Sequence, residues 1–281
     1  MSRYFELRRE LQEKFSDAGI ESAGVEADIL ISELAQLNRV ELFLHSDDDV
    51  APELEKRIRT LGNRRVNREP LQYLLGYAYF MDLKLNVSPD VLIPRPETER
   101  LVEWVIEFLP KSGSLLDLGT GSGAIALSVA QDREDAVITA VDISPNALAV
   151  ARHNAEKLCF NKVHFVKSNL FKSLKGETFD LIAANLPYVT DEEYASLAPE
   201  VRCYEPRLAL TAPDSGFDLI RRAALAAATH LKSGGRIIFE LAPSQVPRLA
   251  ELLGSLGNFR EIVALQDYTR RERFVTARLK S

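Results

Sequence analysis

From Gly113 onward the chain alternates strand-sized apolar runs with longer amphipathic ones, and no other feature narrows its choice of fold as far. The runs "SLLDLG", "AVITAVD", "KVHFVKS", "FDLIAAN" and "GRIIFEL" are rich in branched aliphatic residues and short enough for strands. Interspersed with them, "AIALSVAQ", "PNALAVARHNAEKL", "GFDLIRRAALAAATHL" and "PSQVPRLAELLGSL" read as helices, and "FREIVALQD" and "RFVTARL" close the chain as two more strands. Strands buried on both faces and joined by helical crossovers predict a doubly wound, mostly parallel α/β sheet. Such a sheet binds ligands beyond the carboxyl ends of its strands.

The earlier sequence is of another kind. Leu7, Leu11 and Phe15 recur every four residues; Ala27, Leu30, Ile31 and Leu34 follow the helical i, i+3, i+4, i+7 spacing; Leu54, Ile58 and Leu61 make a third stripe. "SDAG" and "HSDDDVAP" break these stripes, and Pro52 suits a first helical turn. A small helical domain of three to five elements is expected over residues 1–75, ending near "REPLQYLLG". "YFMDLKLNVS" alternates in the manner of a hairpin, so residues 76–95 read as a hairpin linker and 96–281 as the ligand-binding domain. A chain of 281 residues has room for one large and one small domain.

With 46% apolar and 27% charged residues the composition is that of a soluble globular protein. The longest apolar stretches are too short to cross a bilayer, and the opening "MSRYFELRRE" lacks the apolar core of a secretory leader. Cys159 and Cys203, the only cysteines, point to a reducing, cytoplasmic setting. Neither they nor the scattered His45, His153, His164 and His230 have metal-ligand spacing, so no metal is expected. A net charge of −6 argues against a protein whose main business is coating nucleic acid.

"DLGTGSGAIAL" sets Gly119, Gly121 and Gly123, with Thr120 and Ser122 between them, at the turn from the first strand of the sheet into its helix. Glycine there permits positive φ and lets backbone approach a ligand without a Cβ. "AVD" ends the next strand on Asp142, an acceptor for both hydroxyls of a ribose. "KSNLF" ends the third with Asn169, whose amide suits an adenine edge, and Leu170, which suits its face; an ordinary turn accounts for that pair equally well. The loop alone also satisfies the nicotinamide fingerprint, as Gly119-x-Gly121-x-x-Ala124. A dehydrogenase should then place a hydride-handling His or Lys at a later strand end.

The fourth strand ends instead on Asn185-Leu186-Pro187-Tyr188, "NLPY". An Asn carbonyl, an extended residue held by a following proline and an aromatic ring make a cradle for a flat NH2 group. Asn and Pro also punctuate ordinary loops. Arg95, Glu97 and Glu99 in "IPRPETE" would cover a cofactor or close over substrate, or else serve as first-turn helix chemistry; the residues leave both open.

Together, "PLQYLLGYAYF", "VLIPRPETE", "LLDLGTGSGAIAL", "AVDIS", "NLPYV" and the "YEP" of "EVRCYEPRLAL" resemble the release-factor glutamine methyltransferases, the HemK/PrmC family, over nearly the whole length. The resemblance implies a Rossmann-like class I methyltransferase domain using S-adenosyl-L-methionine and a helical amino-terminal domain that docks substrate. It implies methylation of the side-chain amide nitrogen (N5) of a glutamine, in a glycine-rich loop of class I peptide chain release factors, with neither metal nor membrane. The family's cofactor site then falls on Gly119 to Gly123, Asp142, Asn169 (often Asp in the family), Leu170 and Asn185. Its substrate site falls on Asn185, Leu186, Pro187 and Tyr188.

Leu186 is a departure, because the family usually reads Asn-Pro-Pro-Tyr; Asn-Leu-Pro-Tyr resembles the rRNA dimethyladenosine transferases. An adenine amino group in RNA or DNA is therefore the alternative acceptor. A nicotinamide oxidoreductase and a non-enzymatic scaffold for translation factors are the readings from other classes. The basic segment with Arg57, Arg59, Arg64 and Arg65 would suit an acidic partner or a solvated helix face.

Overall fold

Leu7, Leu11 and Phe15 pack along one face of helix α1 (Tyr4–Asp17) in the computed structural model, which describes residues 2–212 and 216–281. The chain then runs through α2 (Ala23–Ala35), α3 (Arg39–Leu44), α4 (Pro52–Val66) and α5 (Leu71–Leu75). The three apolar stripes meet in one core, where Leu7, Phe15, Leu30, Ile31 and Ile58 are almost fully buried. Helices α1 and α4 approach so closely that a Cβ on Gly62 would lie 2.4 Å from Leu11 Cδ2. Asn38 opens α3 by accepting the Val40 and Glu41 N–H groups, while Glu41 accepts from the Asn38 N–H in return.

This first unit extends to Gly76 and also takes in Ala198–Tyr204 from much later in the chain. Its basic segment is largely neutralised from within. Arg59 pairs with Glu10 and Glu55, and Arg64 with Glu69. Arg65, only 4% exposed, pairs with Glu26 and with Glu200, which Arg68 also holds at 2.7 Å. Of the arginines read as candidates for an acidic partner, these three already hold acids of the same unit; Arg57 is exposed.

The second unit comprises Tyr77–Leu197 and Glu205–Ser281. It opens with an antiparallel hairpin of β1 (Tyr77–Phe80) and β2 (Leu83–Asn86), followed by α6 (Pro96–Phe108). The alternation begins with β3 (Ser114–Leu118), α7 (Ala124–Asp132), β4 (Val137–Asp142), α8 (Pro145–Lys157), β5 (Val163–Lys167) and β6 (Phe179–Asn185). Three short helices absent from the sequence reading follow: α9 (Asp191–Ser196), α10 (Pro199–Tyr204), which is the piece belonging to the first unit, and α11 (Arg207–Leu210). Then come α12 (Asp218–Ala227), β7 (Leu231–Glu240), α13 (Val246–Ser255), β8 (Phe259–Gln266) and β9 (Glu272–Leu279). Helix α12 stops at Ala227, four residues short of the sequence expectation, because Leu231 already pairs with Phe179 of β6.

The seven strands form one sheet in the order β5-β4-β3-β6-β7-β9-β8, in which β9 alone runs antiparallel to the rest. Side chains alternate across it. Leu116, Leu118, Ile182, Ala184, Ile237 and Phe239 pack on the face covered by α12 and α13. Leu115, Leu181, Ala183 and Ile238 pack on the face covered by α6 and α7. Burial on both faces is why these strands read as unbroken apolar runs. The order reverses at β3, where one connection leads outward to β4 and the later chain returns to β6. The crevice at such a switch is where this architecture places ligands.

Candidate active site

The turn after β3 is bolted to its neighbour. The Gly119 and Thr120 N–H groups both donate to the Val141 carbonyl, at 2.8 and 2.9 Å. Gly121, at φ +56°, donates to Asp142 Oδ2 at 2.9 Å, and the other oxygen of Asp142 accepts the Ser144 N–H at 2.9 Å. A Cβ on Gly121 would meet no atom within 4 Å, so the turn borders open space. Burial raises the Asp142 pKa, and the Ser144, Gly121 and Ile143 N–H groups oppose that rise. Each carboxylate oxygen keeps a lone pair for a further donor.

Thr120 and Ser122 turn away from this space. Thr120 donates to Asp117 Oδ2 at 2.7 Å, and the buried Ser122 offers its carbonyl to Asn154 at 2.9 Å. Gly123, at φ +87°, caps α7. These residues shape the turn. Asp117 carries no exposed surface, and burial pushes its carboxyl up to about 7 despite the Thr120 hydrogen bond.

A third wall comes from the end of β5. Ser168 donates its N–H to the Asp142 carbonyl at 3.0 Å and its hydroxyl to the Leu170 carbonyl, with Leu170 in the left-handed region at φ +51°. Together Gly119, Gly121, Asp142, Asn169, Leu170, Asn185, Leu186 and Pro187 line one cavity of about 280 Å³. Asp90, Leu208 and Arg222 also line it, and nothing in the sequence pattern singled them out.

At the end of β6 the Asn185 side chain continues the parity of Leu181 and Ala183, toward α6. There its Nδ2 donates to the buried Thr98 Oγ1 at 3.1 Å. Leu186 is 5% exposed, and its Cδ2 would lie 3.1 Å from a Cβ on Gly119. Tyr188 is half-buried and does not line the cavity. Its carbonyl accepts from Gln245 Nε2 at 3.2 Å and would meet a Cβ on Gly216 at 2.2 Å. Burial, then the Glu240 charge, push its phenol up to about 12.

"IPRPETE" serves as scaffolding beside the cavity. Arg95 pairs with the buried Glu205 at 2.6 Å, and Glu205 also accepts the Ile93 N–H. Glu99 accepts the Met81 N–H at 2.8 Å, tying the hairpin to α6. Arg95, Glu97 and Glu99 do not line the cavity; the member of this motif that reaches the Asn185 side chain is Thr98, which the sequence reading passed over. Glu240 was missed as well. An acid closing the apolar run "GRIIFE" is the signal that would have found it.

A doubly wound sheet with a glycine turn, a strand-end acid and an Asn-x-Pro-Tyr strand end on one unit defines a methyltransferase. Residues 109–259 match the methyltransferase domain family, and residues 6–76 match the PrmC N-terminal domain. The release factor glutamine methyltransferase of Chlorobaculum tepidum is 36% identical over 92% of this chain and 91% of its own. That of Gloeobacter violaceus is 39% identical over 89% and 88%. Among solved structures, a methyltransferase from Pyrococcus furiosus has the same fold, with a TM-score of 0.56 at 20% identity over 78% of this chain and 98% of its own. The chain belongs to the release factor glutamine methyltransferase family.

Proposed function

We infer that this chain methylates the side-chain amide nitrogen of a glutamine in peptide chain release factors, using S-adenosyl-L-methionine. The observation that carries the reading is the meeting of the Gly121–Asp142 turn and the Asn185 strand end on one cavity. The residues present fit the cosubstrate. Asp142 has lone pairs for ribose hydroxyls, Ile143 and Leu170 give apolar cover for a flat base, and the glycine turn leaves room beside them.

When bound, the cosubstrate supplies a methyl group made electrophilic by a positively charged sulfur. A glutamine amide nitrogen is a poor nucleophile because its lone pair is delocalised into the carbonyl. The Asn185 side-chain oxygen and the Leu186 carbonyl would each accept one N–H of that amide, holding the nitrogen in line and favouring the positive charge that grows on it. The nitrogen forms its bond to the methyl carbon as the sulfur–carbon bond breaks, and the amide proton then leaves to water. No strong base is needed, because methylation makes that proton acidic. Leu186 provides its carbonyl as well as a proline would, and its buried side chain packs toward Gly119.

The test is tandem mass spectrometry of a class I release factor incubated with the protein and cosubstrate, with ribosomal RNA as a parallel acceptor. One added methyl on a glutamine amide nitrogen is expected. Methyladenine in the RNA with no label on the protein would overturn the substrate.

A further inference from the structure

Strand β7 ends on a glutamate that the preceding chemistry does not use. Glu240 is in register with Asn185 across adjacent parallel strands, so both side chains leave the sheet on the α6 face. Glu240 is 2% exposed, and among the described residues its Oε2 has no hydrogen-bond partner. Thr98, 5% exposed in the first turn of α6, lies beside both: its Oγ1 accepts from Asn185 Nδ2 at 3.1 Å, and Thr98 and Asn185 each hold down the pKa of the Glu240 carboxyl.

The directions of these bonds follow from elementary chemistry. A carboxylate only accepts, so the donors beside it, the Thr98 hydroxyl and the Asn185 NH2, turn toward it. The Thr98 oxygen is left able only to accept, so Asn185 must turn its NH2 toward it. The Asn185 carbonyl oxygen then faces the other way. We propose that Glu240 is a positioning residue that, directly and through Thr98, sets which end of the Asn185 amide meets the acceptor. The proposal rests on Asn185 accepting an N–H from that acceptor, as argued above.

A neutral group at position 240 loses this control. It can donate to Thr98, which can then donate to the Asn185 oxygen and swing the NH2 toward the acceptor's own NH2, donor against donor. The charges around Glu240 bear on the balance. Burial pushes its carboxyl up to about 7, Thr98, Arg273 and Asn185 oppose this, and Glu97 adds to it. Tyr188 lies in the same field, together with Arg95, and remains neutral at pH 7. The rate should therefore fall on the acid side of neutrality as Glu240 gains a proton.

The experiment uses the full-length protein, a glutamine-bearing release factor and S-adenosyl-L-methionine, with kcat and KM measured from pH 5.5 to 9. Glu240→Gln should lower kcat about 10- to 100-fold, the scale on which a misplaced reacting group acts. It should also abolish the acid limb and leave cosubstrate affinity within about threefold. Thr98→Val should reproduce part of that loss, Thr98→Ser should restore it, and the double variant Glu240→Gln/Thr98→Val should be no slower than Glu240→Gln alone. Wild-type kcat with an intact acid limb in Glu240→Gln overturns the proposal, as does full activity in Thr98→Val. Asn185→Ala separates the two readings. If it is inactive while Glu240→Gln is normal, only the Glu240 assignment falls; if it is fully active, the role of Asn185 itself falls.

Discussion

Asp142 Oδ2 accepts the Gly121 N–H at 2.9 Å, so the acid that closes β4 also fixes the glycine turn of β3. Asp142→Ala should therefore lose cosubstrate affinity in two ways, by removing an acceptor and by releasing the turn. A cost of about 1.5–3 kcal/mol is expected for the charged acceptor alone. Calorimetric titration checks it; unchanged affinity in a folded variant would sink the assignment.

The two glycines around this site should fail differently. Gly121→Ala meets no protein atom and pays only for positive φ, about 1–2 kcal/mol, while its methyl enters the open space beside the turn and weakens cosubstrate binding. Gly216→Ala drives a Cβ to 2.2 Å from the Tyr188 carbonyl, so it should lose far more stability. Thermal melts of both variants decide the point: the predicted order is Gly216→Ala well below Gly121→Ala.

Asn185→Ala should abolish turnover while cosubstrate still binds, since it removes one acceptor and leaves the glycine turn alone. Leu186→Pro should keep the rate, because the carbonyl remains. It should cost about 1–3 kcal/mol of stability, since the buried leucine side chain is replaced by a smaller ring. Single-turnover methylation and urea unfolding, measured together, separate these effects.

Two buried carboxyls give the fold an unusual pH response. Asp117 and Glu240 are both pushed up to about 7 by burial, well above their values in an unfolded chain. The native state therefore binds more protons than the unfolded state between about pH 4 and 7. Their contribution to stability is present in full below that window and is lost as pH rises through it. Asp117→Asn should flatten the fall in urea midpoint between pH 5.5 and 8. A slope parallel to that of the unaltered protein would refute the burial argument.

Arg65→Ala should destabilise the helical unit by about 3–5 kcal/mol, because it leaves Glu26 partly buried without its arginine and Glu200 with Arg68 alone. Arg57→Ala, on an exposed position of the same helix, should change stability by less than about 0.5 kcal/mol. Equal melting temperatures for the two variants would contradict the pairing.

The sequence by itself determined the parts whose cause is local. Apolar stripes at helical spacing specified α1, α2 and α4, since a helix must bury one face, and the unbroken apolar runs specified β3 to β7, since a parallel sheet buries both. The glycine turn and Asp142 were legible for the same reason, because positive φ and strand ends leave marks at fixed positions.

Tertiary structure alone decided what depends on partners distant in sequence. Only pairing of β6 with β7 puts Glu240 beside Asn185, and only the packing of α6 on that face brings Thr98 to Asn185. Likewise Arg65 looked like surface charge until folding carried Glu26 and Glu200 to it. Burial of the Thr120 and Ser122 side chains, with the Thr120 hydroxyl committed to Asp117, was also set by the folded turn. In each case the side chain's chemistry was legible, but its direction was not. Direction is set by strand parity and helix packing, which join residues tens of positions apart.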